Sequence, residues 1–129
     1  MPKPIGVIVS IRVEPGRATE QVDLFSEIAP LVRAEPGCVT YELHTVAGDP
    51  DRFVILEWWE SSDALAAHDE MPHMVAADAR TPAFRDGPAH VTLVDQQAQI
   101  STLRAALIAE ERSGNTEPFD LDEFISAKI

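Results

Sequence analysis

The sequence predicts an α+β fold of the ferredoxin-like type, βαββαβ, followed by a C-terminal helical tail. Three observations predict it. Four short segments alternate apolar and other residues with a period of two. Helix-periodic stretches fall between the first and second of these, and between the third and fourth. The second and third are joined directly by a Gly-Asp-Pro-Asp cluster, which makes them a hairpin.

Ile5 to Val13 reads as the first strand, with Val7, Val9, Ile11 and Val13 on one face and Ile8, Ser10 and Arg12 on the other. Pro15-Gly16 turns the chain. Arg17 to Ala34 reads as a helix, with Val22, Phe25, Ile28 or Ala29, and Val32 at helical spacing. Pro30 is expected to kink or shorten it, and Glu35-Pro36-Gly37 stops it. Cys38 to Val46 is the second strand, with Val39, Tyr41 and Leu43 set against Thr40, Glu42 and His44. Arg52 to Glu60 is the third. Ser61 or Ser62 caps a second helix to about Glu70; Pro72 interrupts it, and His73 to Ala79 resumes it. After a loop marked by Pro82, Gly87 and Pro88, Ala89 to Val94 forms the fourth strand.

Two crossovers flanking a hairpin place both helices on one face of an antiparallel sheet. The other face is left open, and a second copy of the chain is its expected cover. The domain thus spans residues 1–95, and the tail residues 96–129. In the tail, Ile100, Leu103, Ala106 and Leu107 form one helical stripe, Ser113-Gly114-Asn115 ends it, and Phe119, Leu121, Phe124 and Ile125 follow.

The net charge is -12, and both parts are acidic: 16 acidic and 7 basic residues up to Asp95, then 6 and 3. Direct nucleic-acid binding is disfavoured, because phosphate neutralisation supplies most of that affinity. A basic protein partner is electrostatically favoured. No apolar run is long enough to span a bilayer, and the first residues lack the pattern of a signal peptide. The single cysteine, Cys38, fits a reducing compartment, and a cytoplasmic location is expected.

Several motifs carry a resemblance. Val13-Glu14-Pro15-Gly16, Glu35-Pro36-Gly37-Cys38, Tyr41-Glu42-Leu43, Phe53 to Glu60 (FVILEWWE), Ala64-Leu65-Ala66-Ala67-His68 and Pro72-His73-Met74 occur in that order. Together they resemble the antibiotic-biosynthesis-monooxygenase family over about residues 4 to 95. The resemblance implies a dimeric α+β barrel and a monooxygenase, without cofactor or metal, acting on quinols or similar small aromatics.

That chemistry has independent physical sense. A deprotonated electron-rich aromatic can pass an electron to oxygen if a base, an apolar pocket and orienting polar groups are supplied. His68 is the candidate base, since its ordinary pKa lies near neutrality. Tyr41 is the candidate hydrogen-bond donor. Val9 and Leu43 are expected to line the pocket, Trp58 to form a flat wall, and His73 and Met74 to close the mouth. A hydrogen-bonded structural role is the competing reading of His68, and core packing that of Tyr41 and Trp58. Glu57 and Trp59 fall on the face opposite Trp58, where Glu57 with Arg12 suggests a dimer interface. Metal binding is not expected: His68 and His73 are five apart across Pro72, and no metal motif occurs. The haem-degrading relatives use Asn, Trp and His where this chain aligns Val9, His68 and Asp78, which disfavours that branch.

The tail carries a second resemblance. Leu103-Arg104-Ala105-Ala106-Leu107, Ser113-Gly114 and Pro118 to Ile125 (PFDLDEFI) resemble the C-terminal end of ParD-type antitoxins over about residues 96 to 129. That implies a basic ParE-type toxin bound through Leu103, Leu107, Phe119, Leu121, Phe124 and Ile125. Glu110 departs from a Gly often found there, and the N-terminal ribbon-helix-helix module is absent. The alternative is that the tail folds back on its own dimer. Three functions are consistent with these readings: an oxygenase, an antitoxin whose domain only dimerises, or a small-molecule sensor that controls the tail.

Overall fold

Residues 3–96 are described by the computed structural model. They contain β1 (Ile5–Arg12), α1 (Ala18–Arg33), β2 (Cys38–Val46), β3 (Asp49–Trp59), α2 (Ser62–Asp69), α3 (Pro72–Arg80), a 3-10 turn (Thr81–Ala83) and β4 (His90–Asp95). The sheet is antiparallel with order β2-β3-β1-β4. This is the ferredoxin-like arrangement expected from the element order, with the second helical region split into α2 and α3 at Pro72. No described helix is long and apolar enough to cross a membrane. The tail residues Leu103, Leu107, Phe119, Leu121, Phe124 and Ile125 lie outside the described residues.

The inner face of the sheet carries Val7 and Ile11 of β1, Tyr41 of β2, and Phe53, Ile55 and Trp59 of β3; with Val13 they belong to one buried cluster. Helix α1 covers them with Leu24, Phe25, Ile28, Ala29 and Val32. Each such apolar side chain contributes roughly 1.5–3 kcal/mol on full burial. Val22, expected on that stripe, is 42% exposed; the buried stripe begins instead at Gln21. Pro30 lies inside α1 and does not end it.

Two other expectations shift for physical reasons. Val39 does not join Tyr41 and Leu43 inside: the β2–β3 register slips between Cys38 and Thr40, and Val39 is exposed. The hairpin turn is shorter than expected, and β3 begins at Asp49. A second slip between Thr45 and Val46 leaves Pro50 out of the paired register, so its missing N–H removes no ladder bond.

The loop after α1 positions the second helical region. Gly37 has a φ of 85°, and a Cβ there would meet the Ala64 side chain at 2.6 Å. Only glycine allows the close approach of α2 at this point. The carbonyl of Gly37 accepts from the amide of Glu60 at 2.9 Å, which ties the loop to the end of β3. Ser61 caps α2 by accepting from the amide of Ala64 at 3.1 Å. The end of α1, the end of β3 and α2 are thereby held together.

Candidate functional site

Where those three elements meet, two carboxylates and two imidazoles converge. Glu35 leaves α1 with its side chain 4% exposed, and His68 near the end of α2 has its side chain 3% exposed. His68 Nδ1 lies 2.9 Å from Glu35 Oε2 and 3.1 Å from Oε1. His73 Nε2 reaches the same Oε2 at 2.8 Å. A carboxylate only accepts, so both imidazole nitrogens donate to it. With Nδ1 bound to Glu35, Nε2 is the His68 nitrogen left to face the rest of the site.

That Nε2 faces Glu57 of β3, whose Oε1 is 3.9 Å away. The same Oε1 accepts from Trp59 Nε1 at 2.9 Å. The Trp59 ring lies against His68 with centroids 4.5 Å apart, and Tyr41 meets His68 edge-on at 6.0 Å. Tyr41 is also stacked on Phe25 at 4.9 Å. These rings hold the imidazole from two sides.

The cluster borders a cavity of about 250 Å3 between the sheet and the helices. Its apolar wall includes Val7, Val9, Leu24, Ile55, Leu65 and Met74. Its polar groups include Tyr41, Glu57, His68, Asp69, Asp78 and Arg85. Burial pushes the Glu57 carboxyl above the ordinary carboxylate range, against the opposing pull of the Trp59 hydrogen bond and His68. Burial, and then the charge of Glu57, push the Tyr41 hydroxyl well above its ordinary range, so it stays a neutral donor. Such a site can hold a flat apolar molecule, take a proton at His68 Nε2 and donate hydrogen bonds from its rim.

Of the residues expected at the site, His68, Tyr41, Val9 and Met74 line this cavity. Leu43 packs against the core without lining it. His73 stands behind His68 on Glu35 rather than at a mouth. Trp58 is a correction: it lies on the outer sheet face, over Gly6, where an added Cβ would meet its ring at 3.0 Å. Trp59 is the inward tryptophan, fully buried. Glu57 is inward with it, and the expected Glu57–Arg12 pairing is replaced by Arg12 with Asp49 at 3.7 Å.

Sequence reasoning missed Glu35, which it read only as a helix stop, and it missed Gln21 and Arg85. A signal for Glu57 was available. Tyr41 pairs with Glu57 across the hairpin, so placing Tyr41 inside puts Glu57 and Trp59 inside too.

The fold and site together define a ferredoxin-like α+β domain with a small-molecule cavity between its sheet and helices. Residues 4–80 match the family described as Antibiotic biosynthesis monooxygenase. A relative from Escherichia coli (strain K12), named Probable quinol monooxygenase YgiN, is 40% identical over 80 residues, covering 54% of this chain and 77% of that protein. The crystal structure of PA3566 from Pseudomonas aeruginosa is 26% identical with a TM-score of 0.70, covering 76% of this chain and 98% of that one. The structure of Rv0793 from Mycobacterium tuberculosis is likewise 26% identical with a TM-score of 0.70, covering 75% and 98%. The chain belongs to the antibiotic biosynthesis monooxygenase family. Residues 88–129 match a second family, described as Bacterial antitoxin of ParD toxin-antitoxin type II system and RHH.

Proposed function

We propose that this chain is a cofactor-independent monooxygenase that hydroxylates a quinol or similar small aromatic in the cavity beside His68. The observation that carries the reading is the buried Glu35–His68 pair, which turns Nε2 of His68 toward Glu57 beside the cavity. Family membership and the similarity to a protein named as a quinol monooxygenase support it.

In this mechanism His68 Nε2 removes a proton from a substrate hydroxyl. Glu35 stabilises the imidazolium that forms, and Tyr41 donates to a substrate oxygen. The aromatic anion passes an electron to dioxygen, and the resulting pair combines at a ring carbon. Loss of water then leaves a hydroxyquinone, so one quinol and one dioxygen give one hydroxyquinone and one water. The apolar wall keeps bulk water from the reactive intermediates. The test is oxygen uptake by the full-length chain with a quinol, without added metal or flavin. Uptake proportional to protein supports the reading; uptake no faster than in buffer contradicts it.

The working form is a homodimer in which a second copy covers the outer sheet face, where Ile8, Leu56 and Trp58 are only half-buried. A cytoplasmic location fits the lone Cys38. The match of residues 88–129 favours a second role: residues 96–129 act as an antitoxin-like segment that binds a basic ParE-type toxin. The two roles are compatible in one chain, with residues 1–95 serving as both catalyst and dimerisation unit.

A further inference from the structure

Arg85 is a part-buried cation lining the cavity, without a counter-ion among the described residues. It lies just after the 3-10 turn, its amide donating to the carbonyl of Thr81 at 2.9 Å. Its Nε donates to Gln21 Oε1 at 3.0 Å. Gln21 is itself 1% exposed on α1, so the guanidinium plane is held in one orientation. The two terminal nitrogens have no hydrogen bond or ion pair among the described residues. Asp78 lies near enough to favour the charge but not within ion-pairing distance. A charge partly removed from water gains from a partner that offsets its desolvation. Burial accordingly pulls the Arg85 guanidinium below its ordinary pKa.

The position of Arg85 says what would complete it. Its backbone bridges to Val13, while Glu57 pairs with Val7, six residues back along β1. At strand rise that separates the two backbones by roughly 20 Å, so Arg85 enters the cavity from the end opposite His68. It also lines a second, more open hollow with Asp78, Thr81, Pro82 and Gly87. Arg85 therefore stands at an entrance, with two free N–H groups side by side. That fork matches a planar carboxylate in a bidentate pair. The other charged groups lining the cavity, Glu57, Asp69 and Asp78, are acidic, which disfavours a more highly charged anion such as phosphate.

We propose that Arg85, oriented by Gln21, is a specificity-determining residue that binds a carboxylate on the substrate, at the end of the molecule away from the hydroxyl addressed by His68. The quinol part of this assignment rests on the proposed function; the carboxylate part rests on Arg85 alone. The substrate class is then a hydroxylated aromatic acid.

The test is anaerobic binding of gentisate and its neutral amide, gentisamide, to the full-length chain by titration calorimetry. Gentisate should bind about tenfold tighter or more, a factor equivalent to about 1.4 kcal/mol. Arg85→Gln should lower gentisate affinity to that of the amide and leave the amide unchanged. Arg85→Lys, which keeps the charge but not the fork, should lose part of the preference, and serves if Arg85→Gln does not fold. Equal binding of the two ligands, a preference that survives Arg85→Gln, or no binding of either overturns the proposal. Aerobic turnover separates the two claims. A charge preference without oxygen uptake sinks the oxygenase reading alone. Turnover of neutral quinols without a carboxylate preference sinks the Arg85 assignment alone.

Discussion

Glu35 and His68, 33 residues apart in sequence, form a hydrogen bond of 2.9 Å with both side chains almost fully buried. The pair joins the end of α1 to α2 and sets which imidazole nitrogen faces the cavity. It has structural and chemical consequences that can be measured separately.

Glu35→Ala removes the acceptor shared by His68 and His73. Deleting it leaves the His68 donor buried and unsatisfied, which costs about 1–3 kcal/mol, with a further loss at the part-buried His73. Glu35→Gln retains one acceptor oxygen and should cost less. Urea denaturation checks both. If Glu35→Gln folds, its turnover should still fall, because a neutral amide stabilises the imidazolium less than a carboxylate. Equal stability of wild type and Glu35→Ala would mean that the pair holds nothing together.

Glu57 gives the protein a pH-dependent stability with a defined sign. Its carboxyl is held above the ordinary value of 4.5, mainly by burial. The folded state therefore binds this proton more tightly than the unfolded state. The stability it contributes is full below 4.5 and is lost as pH rises through the raised value. Glu57→Gln removes that loss, so the variant should gain on the wild type as pH rises from acid towards neutral. Denaturation midpoints measured across that range check this; parallel curves would contradict it.

Trp59 and Trp58 are adjacent yet belong to different faces. Trp59→Phe keeps the ring against His68 but leaves Glu57 without its donor at 2.9 Å. The expected loss is about 1.5–3 kcal/mol, the range for hydrogen bonds to charged groups. Trp58→Phe removes no such bond and should change monomer stability less. Thermal melts of the two variants give the comparison, and the reverse order would contradict the face assignment.

These tryptophans also mark where the sequence was legible and where it was not. β1 alternates cleanly, and the inward set of Val7, Ile11 and the Val13 that follows the strand could be read directly. β3 is apolar on both faces from Phe53 to Trp59, so alternation gave no phase there. A glutamate in its middle reads as outward because a buried carboxylate is costly alone. The Trp59 Nε1 donor offsets part of that cost, and His68, which faces it, belongs to another element. Glu35 was hidden for the same reason. A residue that stops a helix gives no local sign of two imidazoles arriving from α2 and α3. His68, Tyr41, Val9 and Met74 were legible as site candidates because each has a neighbouring motif or a strand phase.

Truncation after Gln99 separates the two proposed roles. The four-stranded sheet is complete at Asp95. The shortened chain should remain a folded dimer by light scattering and keep its oxygen uptake with a quinol. If residues 96–129 bind a basic toxin, the truncated chain should fail to neutralise that toxin when the two are co-expressed. Continued neutralisation would remove the antitoxin reading, and loss of folding would assign these residues to the core.

The central claim is that the cavity beside His68 inserts oxygen into an aromatic ring, and isotope labelling tests it most directly. A quinol is incubated with the full-length chain under isotopically labelled dioxygen, and the product is analysed by mass spectrometry. The account predicts one labelled oxygen atom per hydroxyquinone. It also predicts a rate that falls by about 100-fold or more in His68→Asn, the usual scale for loss of a general base. Unlabelled product, or labelled product formed as fast by a folded His68→Asn as by the wild type, would contradict it.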